Sequence, residues 1–476
     1  MLILICLAPL AAMCAALIPS NYWRPWLLPM VSIAHLALVL SLLAGYGNLP
    51  ANSWLGIDPP GRVVLLVISV LFLLASFYLV DYLHYRADHA NRVFCTCLLL
   101  FLGAMTLVIC TDNLGLMWVA MESSTISSAP LIYFNRTQQS LEATWKYLLI
   151  CSVGIALALL GSFFMAYAAV RQGLIPSLNI ADLLRQAPLM DKTWMKAGFV
   201  LLLVGYGTKM GLAPMHAWLP DAHGESPAGV SALFSGALIS SAFLMVVRSE
   251  HILQAAGEAA FASRLLIILG FLSMLVAAIF IIGQKDLKRM LAYSSVEHMG
   301  ILALGLGLGG IALIGALLHV INSGLTKGSL FFSIGNMDRA FGGKNTSQVR
   351  GAMRRLPLSG TVFLLAFLAI TGSPPFGPFV SEFMIIYGAF IAGHFLIGAG
   401  ILSLMLVIFL GMGRIVLAAV FGRPPAAAAR SHYQDGWMTG VPVLAGLVLV
   451  LLLGLYLPEP LRILLYNAGH YLGAKP

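Results

Sequence analysis

The chain has 476 residues, of which 60% are hydrophobic and 9% charged, and its mean hydropathy is +0.93. An ordinary soluble domain carries roughly 25% charged residues, so the composition excludes one and describes a polytopic, all-α membrane protein. The net charge of +9, which in a soluble protein would point to nucleic acid, here reports orientation across a bilayer.

A span needs about 20 apolar residues, and runs of that kind predict about fourteen transmembrane helices. Their limits are near 1–18, 26–45, 62–81, 93–111, 114–134, 144–170 and 195–213, then 229–247, 264–283, 290–309, 311–336, 357–392, 395–421 and 438–457. The first run has no basic residue before it and reads as a span, not a signal peptide. The six cysteines (Cys6, Cys14, Cys95, Cys97, Cys110 and Cys151) lie in or beside apolar segments. None has zinc-type or Cys-x-x-Cys spacing, so they read as small buried hydrophobes. Odd-numbered loops hold about sixteen Lys/Arg, even-numbered loops about seven and the C-terminal tail about two. The positive-inside rule therefore puts odd loops in the cytoplasm and both termini outside. Only Lys209 and Lys327 fall outside loops and helix ends on this count.

In chain order, Glu122 comes first, close to the middle of the fifth run, "NLGLMWVAMESSTISSAPLIYF". The seventh run continues into "LVGYGTKMGLAPMHAWLPDAHGESP", where Lys209 precedes an interruption at Gly211 and Pro214. His216, Asp221, His223 and Glu225 follow, as groups for proton uptake or exit or as loop and cap residues. "GQKDLKRMLAYSSVEHMG" opens on Lys285, Lys288 and Arg289, a cytoplasmic anchor by charge, and carries Glu297, a further candidate for proton entry or exit, and His298 into the tenth run. Imidazole titrates near neutrality, so His298 is either a relay or a core histidine. The glycines of "GLGLGG", 305–310, read as close helix packing and not as a phosphate loop. In "LLHVINSGLTKGSLFFSIGNM", His319, Ser323 and Lys327 recur at i, i+4 and i+8 on one helical face. The twelfth run, "AITGSPPFGPFVSEFMIIYG", is interrupted by Gly372, Pro374, Pro375, Gly377 and Pro378 and then carries Glu382. Arg248, His394 and Arg414 fall near predicted helix ends and are expected to snorkel.

Unwound backbone at membrane depth survives only where protein or water covers it. Paired interruptions in two halves of a chain point to a transport site. A charge at mid-bilayer costs at least about 2.5 kcal/mol, so Glu122, Lys209, Lys327 and Glu382 must pair, meet water or lose their charge. Desolvation disfavours an ammonium and a nearby carboxylate favours it. A changing Glu122–Lys209 distance would then switch proton retention; the competing reading is a static ion pair fixing helix packing. No phosphate loop, dinucleotide fingerprint or metal-ligand spacing is present, so neither cofactor nor metal is expected.

These motifs, in this order over roughly residues 60 to 420, resemble the antiporter-like subunits of respiratory complex I, of group 4 membrane-bound hydrogenases and of multisubunit cation/proton antiporters. "SSVEHMG", "FFSIGNM" and "GSPPFGPFVSEF" are most similar to the component F type of hydrogenase-4 or formate hydrogenlyase-type complexes. The resemblance implies fourteen helices with two inverted five-helix repeats. The division is then 1–90 for helices 1–3, 91–250 for the first repeat, 251–422 for the second, and 423–476 for the last loop, helix and tail. It also implies that Glu122 and Lys209 control the first repeat, that Lys327 lies mid-path, that Glu382 is the terminal carboxylate, and that His298 and His319 relay protons. Many relatives carry a lysine where this chain has Ser240, which cannot hold a mobile charge. The chain ends soon after the last run, so a long lateral helix is not expected.

The expected function is a proton-translocating subunit of a redox-driven, hydrogenase-related complex in a bacterial or archaeal inner membrane. Its partners would be other membrane subunits, peripheral redox subunits and lipid. The alternatives are a redox-independent cation/proton antiporter or inorganic-carbon uptake component, and a structural anchor whose channel has decayed.

Overall fold

The computed structural model describes residues 1–46, 54–425 and 431–474. Helices α1 (Leu2–Leu17), α2 (Leu27–Leu43) and α3 (Pro59–Tyr85) lead into α4 (Arg92–Ile109), α5 (Leu114–Ile132) and α6 (Gln138–Val170). The short α7 (Ile180–Gln186) precedes α8 (Lys192–Met210), α9 (Trp218–Glu225), α10 (Ala228–Leu233) and α11 (Ile239–Ala255). Next come α12 (Ala259–Ile282), α13 (Leu287–Leu308), α14 (Gly310–Phe341), α15 (Ala352–Arg355), α16 (Pro357–Ile370), α17 (Gly377–Ile391) and α18 (Phe395–Val420). The last two helices are α19 (Trp437–Leu455) and α20 (Glu459–Tyr471). Eleven described helical segments are long and apolar enough to cross a membrane, and Leu2–Leu17, Pro357–Ile370 and Gly377–Ile391 are shorter apolar helices. The apolar runs fall on helices, the run 357–392 on two of them, α16 and α17.

Polar caps start the helices where their backbone N–H groups would otherwise lack partners. Asn113 accepts from Gly115 and Leu116, Asp191 from Thr193 and Trp194, and Asp286 from Lys288 and Arg289. Thr137 and Ser140 cap α6 reciprocally. Small residues then set the closest approaches. A Cβ on Gly161 of α6 would lie 2.8 Å from the Gly198 carbonyl of α8, and one on Gly300 of α13 would lie 2.7 Å from that of Gly270 on α12. In the "GLGLGG" stretch, Gly305 packs on Ala316, while Gly309 and Gly310, both at positive φ, turn α13 into α14.

Both interruptions are built alike. The α8 end is closed by Gly211 at φ +84°, with Gly211 N–H donating to Thr208 O and Leu212 N–H to Gly207 O. The α16 end repeats this pattern: Gly372 at φ +71°, Gly372 N–H to Ala369 O, and Ser373 N–H to Leu368 O. This paired bonding satisfies the last carbonyls of a helix around a left-handed glycine. Each break also contains a cis X–Pro bond, Ala213–Pro214 and Pro374–Pro375. Protein covers the exposed backbone, as membrane depth requires. The Trp218 indole donates to Thr208 O (2.8 Å) and Ser273 Oγ accepts from Ala213 N–H (2.9 Å). At the second break, Gly454 of α19 lies directly against Pro375 O.

Two expectations are corrected. Cys6 and Cys14 are exposed on the outer surface of α1, because an α-helix presents only one face to the bundle; Cys95, Cys110 and Cys151 are buried. Arg248 does not snorkel. It is buried and makes a two-pronged ion pair with Asp58, both bonds 2.8 Å, while its guanidinium also donates to the carbonyls of Val108, Ile109 and Thr111. Nearness to a helix end in the sequence says nothing about what packs over that end, and here Asp58 and three carbonyls do.

Candidate functional site

The site has two clusters. In the first, Lys209 stands on the last turn of α8 and is fully buried. Its Nζ donates to Thr125 Oγ1 on α5 (2.9 Å) and to Tyr147 OH on α6 (2.6 Å), and lies 4.5 Å from the centre of the Tyr147 ring. Ser128 Oγ donates to Ser124 O (2.6 Å), which leaves it to accept from Tyr147 OH (2.6 Å). The bonds therefore run in one direction, ammonium to phenol to serine to backbone. Glu122 lies one turn before Thr125 and is half-buried. Its Oε1 accepts from Ser152 Oγ of α6 (2.7 Å), and its Oε2 has no hydrogen-bond partner. No described carboxylate oxygen lies within 4.0 Å of Lys209 Nζ.

In the second cluster, Lys327 of α14 is buried and donates to Leu291 O of α13 (2.9 Å). Glu297, also on α13, is buried near it, with Ser294 Oγ 3.4 Å from its Oε2. His298 Nδ1 and His319 Nε2 are 3.0 Å apart, and His319 Nδ1 is 3.0 Å from Ser381 Oγ. The network assigns the tautomers. Ser381 Oγ gives its proton to Pro378 O (3.0 Å), so it accepts from His319 Nδ1–H and from Asn322 Nδ2–H (3.3 Å). His319 Nε2 is then the lone pair that receives His298 Nδ1–H. Glu382 is 3% exposed, and both its oxygens lack a hydrogen-bond partner; Oε1 lies 4.0 Å from His298 Nδ1. His298 Nε2 is buried and unpartnered as well.

Between the clusters lies His223 of α9, buried, with neither ring nitrogen partnered. Its ring is edge-on to Phe331 of α14 at 5.3 Å and 6.0 Å from Phe234, whose ring is in turn 6.0 Å from that of Tyr147. Phe234 opens a single π-helical turn, Phe234–Leu238, between α10 and α11. Ser240 follows it, and its hydroxyl is spent on Gly236 O (2.8 Å) of its own helix. His216 is partly exposed beside Tyr293, at 6.3 Å between rings. Asp221 pairs with Lys146 (3.0 Å) and Arg289 (3.1 Å), and so ties α9 to α6 and α13.

Two cavities flank these groups. One, of about 360 Å³, is polar and bordered by Arg86, Asn135, Glu225, Lys288, Asp338 and Arg339, residues of the predicted cytoplasmic face. The other, of about 340 Å³, lies between α17 and α18 and reaches Gly372 and Glu382. Lys288, expected as a cytoplasmic anchor, is buried, and so is Arg339 near the end of α14. Lys288 Nζ donates to Ser226 O (3.0 Å), and the Arg339 guanidinium sits 5.1–5.5 Å from the rings of Tyr78, Tyr82, Tyr85 and Tyr433. Tyrosines at 78, 82 and 85 follow a helical spacing, the one sequence signal that could have marked this aromatic enclosure.

Residues 111–408 match the family model described as NADH:quinone oxidoreductase/Mrp antiporter, transmembrane. A hydrogenase-4 component F homolog from Methylacidiphilum infernorum is 34% identical over 91% of this chain and 91% of its own length. The NADH-quinone oxidoreductase subunit N of Desulforudis audaxviator is 32% identical over 79% of this chain and 74% of its own. A chain of the membrane-bound sulfane sulfur reductase, an archaeal respiratory membrane complex, superposes with a TM-score of 0.89 over 99% of this chain and 97% of that one, at 23% identity, a likeness of fold.

Proposed function

The chain belongs to the NADH:quinone oxidoreductase/Mrp antiporter transmembrane family, and from that premise we propose that it moves protons through its two buried clusters as a subunit of a hydrogenase-related redox complex. It is an antiporter-like membrane subunit, and its relatives are components of multisubunit membrane assemblies. Electron transfer in partner subunits displaces the Glu122–Lys209 arrangement, and protons pass by way of Lys209, Lys327, the His298–His319 pair and Glu382. The polar cavity beside Lys288 serves uptake, and His223 carries the transfer between clusters that Ser240 cannot.

Two inverted repeats would account for the shared architecture of the breaks. In each half a carboxylate-bearing helix (α5 or α13) packs on a long helix (α6 or α14), which in turn packs on the interrupted one (α8, or α16 with α17). The charge distribution of the loops favours both termini outside, and the chain's bacterial and archaeal relatives favour a plasma membrane of that kind.

The observation that carries the reading is Lys209: an ammonium sealed from solvent, held only by hydroxyls, with a half-buried carboxylate nearby but not in contact. A static structural pair would be closed, because an unpaired buried charge is strongly destabilising. Lys209→Met in the assembled complex, reconstituted into proteoliposomes, is expected to abolish coupled proton movement while leaving assembly intact. Full pumping by that variant overturns the mechanism.

A further inference from the structure

The second cluster has an arrangement that no spacing along the chain announces. His298, His319 and Glu382 come from α13, α14 and α17, and one donor atom from each lies within 4.8 Å of those from the other two. Two imidazoles and a carboxylate form a donor set for zinc and similar divalent transition ions, not for magnesium or calcium, which take oxygen ligands. We infer that His298, His319 and Glu382 form a binding site for one divalent transition-metal ion of the zinc class.

Three features support this beyond proximity. Both Glu382 oxygens are buried without a hydrogen-bond partner, and Gly372 leaves the room they occupy, because a Cβ there would run into Oε2. His319 is held from behind: Ser381 fixes its Nδ1–H and presents Nε2 as a lone pair. An outer hydrogen bond of this kind orients metal-ligating histidines. His298 Nε2 is also free, so the Nδ1 proton has a place to go when Nδ1 turns to a metal. Zinc bonds of about 2.0–2.1 Å place donors roughly 3.3 Å apart around a tetrahedral ion. The present separations of 3.0 Å (His298 to His319) and 4.0 Å (His298 to Glu382) need only side-chain adjustment to reach that.

Lys327 does not occupy the site: its Nζ is directed to Leu291 O (2.9 Å) and not to the three donors. Glu382 also borders the 340 Å³ cavity, so close packing does not seal the site. A metal here would replace the proton shared by the two imidazoles. That consequence rests on the relay proposed above; the binding itself does not.

The test needs no transport measurement, so its failure is distinguishable from failure of the relay. The full chain, purified in detergent and stripped with chelator, is loaded with Zn²⁺ and examined by zinc X-ray absorption and by equilibrium titration. One tight equivalent with two imidazoles in its shell is expected. His298→Gln, His319→Gln and Glu382→Gln should each weaken binding at least about tenfold, and His394→Gln and His470→Gln, at exposed positions, should leave it unchanged. No tight equivalent, a shell with fewer than two imidazoles, or undiminished affinity in the three variants overturns the assignment. The spectrum of the unmodified chain decides the matter even if a variant does not fold.

Discussion

The two clusters face the same problem, ionisable groups beside a broken helix, and handle it in opposite ways. Around Lys209 the ammonium is held: two hydroxyls accept from it, and the centre of the Tyr147 ring lies 4.5 Å away. Around Glu382 the contacts are withheld, with both carboxylate oxygens and one imidazole nitrogen left bare. The first is a tuned holder for a charge, and the second is a set of acceptors awaiting a proton or ion. Buried polar atoms without partners are rare in folded proteins and call for an explanation. Their concentration at the second cluster marks it as the place where the proposed relay would open.

The sharpest way to break this contrast is to unpair the first cluster. Tyr147→Phe removes one acceptor from Lys209 and the donor to Ser128, without changing the ring. Hydrogen bonds to charged groups contribute roughly 1.5–3 kcal/mol, so thermal unfolding in detergent should show a loss of that order. A loss under about 0.5 kcal/mol would mean that the hydroxyl network does not hold the ammonium.

Gly372→Ala tests the second cluster. The left-handed conformation costs a β-carbon about 1–2 kcal/mol, and the added methyl must also push Glu382 Oε2 aside. The matched Gly211→Ala carries the same backbone cost, but its methyl meets Leu219 and no charged group. Equal stability losses with a greater loss of proton movement in Gly372→Ala would confirm that position matters at Glu382. Equal losses of both would reduce the two glycines to helix ends.

Ser381→Ala is a smaller perturbation. It removes one neutral acceptor, about 1 kcal/mol, and frees His319 to change tautomer. Nitrogen NMR of the ring should then report a mixture where the intact chain shows one form. A single unchanged tautomer would mean that His298, not Ser381, sets it.

The contrast also shows what the chain reveals before folding. Glu122, Lys209, Lys327 and Glu382 stand out because a charge within an apolar run has no neutral explanation, and the breaks stand out because Gly and Pro punctuate helices in any environment. Arg248, Lys288 and Arg339 did not, because a cation near a helix end reads as solvated until Asp58, Ser226 or a ring of tyrosines is found packed over it. The imidazole pair was hidden for another reason. His298 and His319 are 21 residues apart and meet only because Gly309 and Gly310 reverse the chain between their helices.

Lys344, in the loop after α14, ties the end of α9 to the start of α13, and this link offers the mildest test. Its Nζ donates to Gly224 O (2.7 Å) and Glu225 (3.1 Å) at the end of α9, and lies 3.5 Å from Asp286, the cap of α13. Burial works against the ammonium, but Asp286 and Glu225 outweigh it and hold its pKa above the ordinary 10.5. A lysine whose pKa is higher when folded contributes its stability in full below the unfolded value and loses it as pH rises through the folded one. The contribution should therefore be constant through neutrality and vanish only above about pH 10.5. Partly exposed ion pairs are worth up to about 1 kcal/mol. Unfolding of the intact chain and of Lys344→Met should accordingly differ by that amount at pH 8 and converge toward pH 12, which cancels the alkaline titration common to both. A difference that persists at pH 12 would show that Lys344 joins the halves by packing its stem, not by its charge.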